Sequence, residues 1–494
     1  LTATTQGGNI RLFGNDNTTI NITADAMGGN VDITETADVA GSINGAAVDI
    51  FANSLNIDLG TSVTSIVLDT DGDSIARGTS ASFTADVFSD VGDVVLSNIG
   101  DIGVTFVLGD NVTLTATNGD ITPNGFLGIV VADTQANLSG DNVFVQVDAP
   151  VLTATADVGS VGILAPFGPL TVGGSAVDTF SVNNSGGITT QQINATTIDL
   201  FAGGSVGEGQ GGQEGPPRGG GPSFITRGTG SLVADNILLE SETVDVVTEA
   251  ANFDVNTDIG GSISNSNRDV TSLVWDNFLG DVSFTNTGNI SGVDVSSEAL
   301  SITAQGGAIT GMIDALASAT IDGDSFDLDF RGNTIVAQAR NGAGNLDADT
   351  EGLDLSGQAT GDLTVSNIGG DIIVRSASSG TRVKLDAFDF GDIRGVGQNP
   401  TAFISAPVVD VTGLDLNVQT DGGTLIADGV RGNAVLAGSG ASLTVTASAN
   451  GDISIGNSGD IVANGIQGTN VAITTTNGGS VSHQGVTRIS SDDL

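Results

Sequence analysis

Gly92-Asp-Val-Val-Leu-Ser-Asn98-Ile-Gly100-Asp-Ile102 is the stretch whose reading decides the fold. Val94 and Leu96 alternate with Val95 and Ser97, and period two marks a half-buried strand rather than a helix. The phrase returns as Gly280-Asp-Val-Ser-Phe-Thr-Asn286-Thr-Gly288-Asn-Ile290, as Gly361-Asp-Leu-Thr-Val-Ser-Asn367-Ile-Gly369, and as Gly451-Asp-Ile-Ser-Ile-Gly-Asn457-Ser-Gly459-Asp-Ile461. A looser copy, Phe180-Ser-Val182-Asn-Asn184-Ser-Gly186-Gly-Ile188, lacks only the leading Gly-Asp. Ser and Thr hold the outward strand positions, where short polar or β-branched side chains suit an exposed sheet face. Asn and Gly tolerate positive φ, so the chain is expected to turn on them.

Successive asparagines of the phrase are 86, 102, 81 and 90 residues apart. The long interval contains a Gly/Pro-rich stretch, 207–222, read as a corner-loop insertion. The remaining period, about 85–90 residues, is too long for one coil and reads as about four coils of 20-odd residues. Echoes of Thr-rich strand plus glycine turn fill the intervals, as in Leu114-Thr-Ala-Thr-Asn-Gly119 and Ile473-Thr-Thr-Thr-Asn-Gly478. The best helix candidate, Met312-Ile-Asp-Ala-Leu-Ala-Ser-Ala319, is short.

Two all-β architectures accommodate such strands. An array of sandwich domains would carry aromatic core markers, yet aromatics are 4% of the chain, with no Tyr and one Trp. A right-handed parallel β-helix, or β-solenoid, needs only a narrow core of Val, Ile, Leu, Ala and occasional Phe, and tolerates insertions at corners. The expectation is a single continuous solenoid over 1–494, an elongated rod of about 20–24 coils.

Acidic residues outnumber basic ones 58 to 13, giving a formal net charge of −45. That surface repels phosphate backbones and excludes nucleic acid as a partner. It also disfavours anionic lipid surfaces. The absence of cysteine removes disulfides and thiolate chemistry together. No apolar run reaches the roughly 18 residues of a membrane span. The chain starts at Leu1 without an initiator Met and is expected to be a segment of a larger protein.

Leu152-Thr-Ala-Thr-Ala-Asp-Val-Gly-Ser-Val-Gly162, Pro169-Leu-Thr-Val172 and Phe180–Ile188 follow one another as strand, turn, strand and turn. In this order they resemble the repeat region of filamentous-haemagglutinin-like exoproteins, the β-helical adhesins of two-partner secretion. The resemblance implies a bacterial cell-surface or extracellular location and an outer-membrane transporter as export partner. It also implies adhesion to a host-cell, glycan or neighbouring-cell surface ligand. The family's secretion domain is not recognisable in the chain.

Asp69-Thr-Asp71-Gly-Asp73 and Asp322-Gly-Asp324 alternate carboxylates in the way that oxygen-seeking calcium ions use, with Asp347-Ala-Asp349-Thr-Glu351 a further example. Ca2+ is therefore the one candidate cofactor, against the alternative of solvated acidic turns. The EF-hand pattern fails, because Gly72 falls at loop position four. Lys384, the only lysine, alternates with Arg382 on one outward face, and His483 is the only histidine. A polysaccharide lyase or hydrolase needs clustered carboxylates beside a base or cation, and cations are scarce here. Paired threonines such as Thr113/Thr115 and Thr444/Thr446 read as ordinary outward strand positions. The expected function is non-enzymatic: a structural, adhesive scaffold that self-associates end to end or side by side into filaments or a surface layer.

Overall fold

The computed structural model describes residues 1–14, 19–125, 128–203, 223–388, 390–397, 401–484 and 489–490. The stretch 207–222, expected as a corner loop, lies outside the described residues. Among the described residues every regular element is a β-strand, and parallel strands stack as a β-solenoid of about 24 turns. Among the described residues no helix is long and apolar enough to cross a membrane. The chain forms two compact units: Leu1–Ala250 with Asp254–Asn256, and Ala251–Phe253 with Thr257–Leu494.

In the first unit, one stack climbs through Val39–Asn44, Leu55–Leu59, Ser74–Gly78 and Val94–Asn98. A second climbs through Val31–Thr34, Ala47–Ala52, Ser65–Thr70 and Ser82–Ser89. The long strand Asp101–Ala116 belongs to both. Its first half pairs with Ser82–Ser89 and its second with Val94–Asn98. The ladder register breaks at the bend, between Gly109 and Asn111. Where such a bend passes close beneath its neighbour, only glycine fits. Gly174 has φ +141°, and a Cβ there would come within 1.8 Å of the Ala154 carbonyl oxygen.

The second unit repeats the plan. One stack runs through Asp281–Asn286, the second halves of Ile290–Ala304 and Ala308–Gly323, Thr334–Ala339 and Gly352–Ala359. The other runs through Ser272–Asn277, the first halves of those two long strands, Ser325–Gly332, Gly344–Ala348 and Leu363–Asn367. The helix candidate Met312–Ala319 lies inside the strand Ala308–Gly323, with Ile313 and Ala315 turned into the core. Its neighbours decide this: Val295 stands in register with Ile313 and Ser297 with Ala315, so ladder and core together outweigh the weak helical preference of an Ala/Met run.

Inward positions are almost all Val, Ile, Leu and Ala, with Phe83, Phe180, Phe253, Phe284, Phe326, Phe330 and Trp275 as the large exceptions among the described residues. Strand alternation fixes this, because each residue's inward or outward fate is shared with its register partners above and below.

Candidate functional site

The recurring asparagines are not turn-formers with positive φ. Among the described non-glycine residues that conformation occurs at Met27, Asn267 and Asn477. Asn98, Asn184, Asn286, Asn367 and Asn457 instead close the inward row of their strands, and all are buried. Each amide Nδ2 donates to the carbonyl oxygen three residues on, at Asp101, Gly187, Asn289, Gly370 and Asp460, over 2.7–3.0 Å. Neighbouring coils carry alanine at the same place: Ala116 beside Asn98, Ala165 and Ala202 beside Asn184, Ala348 and Ala387 beside Asn367. The slot is small, and the amide fills it while satisfying a carbonyl that the corner turns inward. Asn277 makes the same bond to Gly280 at 2.9 Å, in a copy that the sequence disguised by placing Phe278-Leu279 where the phrase has one residue and glycine.

The recurrence is also not a whole number of coils. In the second unit the ladder climbs nine coils from Asn286 to Asn457, and their 171-residue separation gives 19 residues per coil. Asn367 stands between them on the opposite stack. Successive copies are therefore four and a half coils apart and mark alternate corners.

The aspartates have a second structural use. Oδ1 of Asp73 accepts the backbone N–H of Asp93 one coil on, at 3.0 Å, and Oδ1 of Asp93 accepts that of Asn111 at 3.2 Å. Asp101 takes the N–H of Asp120 at 2.9 Å. In the second unit the series runs from Asp371 to Asp392 to Asp415 to Asn433 to Asp452, with each acceptor oxygen 2.6–3.0 Å from the next residue's nitrogen. A carboxylate acceptor for a backbone donor is a strong, charge-assisted bond. Much of the acidic surplus is therefore mortar between coils. The signal lay in Gly-Asp pairs one coil apart, such as Gly72-Asp73 and Gly92-Asp93.

Of the candidate calcium ligands, Asp69, Asp71 and Asp73 are exposed around one turn, and Asp73 already engages Asp93. At the other cluster, Arg340 Nε lies 3.4 Å from Asp322 and 3.8 Å from Asp324, so a guanidinium supplies the positive charge there. Among the described residues no three His, Asp or Glu side chains converge as a metal-holding group. Asp347 lies on the strand Gly344–Ala348, in register with Asp329, and accepts from the Ser366 hydroxyl.

Arg382 and Lys384 share an outward face, as expected. Arg382 pairs with Asp410, and Lys384 stands in register with that same aspartate. Burial pushes the Asp386 carboxyl up, opposed by the Lys384 charge. His483 is exposed on the strand Val481–His483. Thr113 and Thr115 belong to short rows of small polar residues, flanked by Asn137 and Ser139 and then by Thr153 and Thr155. Thr444 and Thr446 have Thr424 and Ile426 on one side, so no such row forms there.

Comparison with models of known protein families, with curated proteins and with solved structures finds no match to this chain.

Proposed function

We propose that the chain is a non-enzymatic, extracellular β-solenoid segment of a large bacterial surface or secreted protein, serving as an adhesive scaffold. The observation that supports this best is the use made of its polar side chains. Buried asparagines hydrogen-bond across their own corners and corner aspartates from coil to coil, so chemistry that could serve catalysis is engaged in building the solenoid. The resemblance to filamentous-haemagglutinin-like exoproteins suggests export through an outer-membrane transporter and a host-cell, glycan or neighbouring-cell ligand. Self-association into filaments or a layer belongs to the same reading. Weak Ca2+ uptake at the exposed Asp69, Asp71 and Asp73 belongs to the same reading and would require the three carboxylates to draw together, since they do not stand as a metal-holding group.

One experiment separates this from carbohydrate chemistry, for which Arg382, Lys384, Asp386 and Asp410 are the residues a catalyst would draw on. The protein is incubated with pectate, alginate and other acidic polysaccharides, and the same protein on beads is tested for retention on cultured cells. Retention without new unsaturated or reducing ends supports the scaffold. Product formation that is lost in Lys384→Ala overturns it.

A further inference from the structure

Part of the outward face of the second stack in the first unit is apolar over several successive coils. Register places Val67, Phe106, Ile129 and Leu164 in one row, interrupted by Asp86 and Gln146. Phe88, Leu108 and Val131 form the row beside it. Val67, Phe88 and Phe144 are 37–42% exposed, and Phe88 stacks on Phe106 with ring centroids 5.0 Å apart. Beyond Phe106 the face opens into a groove of about 400 Å³, lined by Pro123, Gly128, Phe144, Gln146, Leu164 and Ser181. Gly162, in register with Phe144, leaves the groove floor without a side chain. A Cβ there would lie 2.7 Å from the Phe144 ring.

Six coils at about 4.8 Å make this apolar strip about 24 Å long, which is the scale at which exposed apolar patches mark interaction sites. A comparable outward face in the second unit carries Asp327, Asn345, Thr364 and Lys384 in one row and Asp329, Asp347, Ser366 and Asp386 in the next. Apolar outward rows are thus not a general property of the solenoid.

Charge identifies the occupant. From Gly78 to Gly203 the chain holds twelve aspartates and no Lys, Arg or His. Asp86 sits within the strip between Val67 and Phe106, and one of its carboxyl oxygens is buried without a hydrogen-bond partner. Asp49, Asp69 and Asp148 border it. Burial pushes the carboxyls of Asp49, Asp86 and Asp148 up, with Asp32 and Asp69 adding to the effect at Asp49 and Asp133 at Asp148. A second copy of this chain would bring like charge to the face, whereas a basic side chain arriving among apolar ones would supply what these carboxylates lack.

We propose that this face of the first unit is a docking surface for an extended polypeptide segment that alternates basic and apolar side chains, the apolar ones entering the groove between Phe144 and Leu164. The proposal goes beyond the scaffold reading and does not depend on it. The probe is a fluorescent peptide of alternating Lys and Phe, titrated with the whole chain at low and at 0.5 M salt. A Lys-Ser peptide of equal charge serves as control.

Saturable binding is expected for Lys-Phe, at least tenfold tighter than for Lys-Ser, and surviving in part at high salt. Phe144→Ser and Leu164→Ser, both on the outward face, should each reduce it at least fivefold while leaving the melting midpoint and Lys-Ser binding unchanged. Asp86→Asn should weaken Lys-Phe binding at low salt. Equal affinity for the two peptides, or indifference to Phe144→Ser and Leu164→Ser, overturns the proposal. So does a dimer of the chain alone at neutral pH that Phe144→Ser dissociates, because the occupant is then a second copy.

Discussion

Nδ2 of Asn265 donates to Oδ1 of Asn286 at 3.0 Å, joining two buried asparagines on adjacent coils. Asn286 passes the bond on to the Asn289 carbonyl at 2.9 Å. Asn184, in the first unit, makes the second kind of bond to Gly187 but its Oδ1 has no partner. Removing a buried partner costs about 1–3 kcal/mol for each group left unsatisfied. Asn286→Ala should therefore destabilise by about 2–4 kcal/mol and Asn184→Ala by roughly half as much. Calorimetric melts of the two variants check the order, which equal midpoints would contradict.

Trp275 offers a spectroscopic handle on the same chemistry. It is fully buried, and its Nε1 donates to Thr257 Oγ1 at 2.9 Å, which in turn donates to Asn277 Oδ1 at 3.0 Å. As the only tryptophan, it reports on the second unit alone. Its emission should be blue-shifted in the native protein. Thr257→Val should strand the indole N–H and the Asn277 oxygen, lowering the unfolding midpoint read by Trp275 by an amount equivalent to about 2–3 kcal/mol. An unshifted midpoint would mean that the three groups find other partners.

Stability should rise on mild acidification. Burial raises the carboxyls of Asp49, Asp86, Asp148, Asp199, Asp386 and Asp392 above the usual range. A carboxyl raised on folding binds its proton more tightly in the native state, so the native state gains as pH falls through that raised value. Asp38, lowered by bonds from Asn53 and Ser54, and Asp460, lowered by bonds from Ser480, act in the opposite sense. Their contribution is present above the ordinary carboxylate value, about 4, and is lost as pH falls through the lowered one. The melting midpoint should climb as pH falls from neutrality toward the ordinary carboxylate range, about 4, and collapse in stronger acid. Asp199→Asn should raise the midpoint at pH 7 and flatten the climb. A midpoint that falls steadily from pH 7 downward would refute this account.

Calcium should act at one cluster and not the other. Millimolar Ca2+, the range of weak extracellular sites, is expected to raise the midpoint of the first unit, with EDTA reversing it and Asp71→Asn abolishing it. Asp322→Asn should leave the calcium response intact, because Arg340 occupies that neighbourhood. Identical melts in calcium and EDTA would identify Asp69, Asp71 and Asp73 as a solvated turn.

The β-solenoid was legible in the alternation of Val94 and Leu96 and in the return of the phrase, because period two and long-range repetition are properties of the chain itself. The inward burial of Asn98 was not. An asparagine after a strand reads as a turn residue, and only the alanines above and below reveal a core slot. The structural role of the acidic residues was hidden in a similar way. Asp73 reads locally as one of a run of three carboxylates, and its acceptance of a backbone N–H some 20 residues on is displayed by no local motif. The apolar strip around Phe144 and Leu164 was hidden because its members come from successive coils and never form a contiguous run.

The half-coil offset between successive asparagines of the phrase sets a rule for how such a chain can grow. Duplicating one interval, phrase to phrase, would add four and a half coils and swap the two stacks for everything downstream. A surface such as the strip at Phe144 would then face the opposite side. Only an even number of intervals preserves orientation. The natural unit of insertion, deletion or recombination in this solenoid is thus the nine-coil, 171-residue pair from Asn286 to Asn457, and not the single repeat that the eye first picks out.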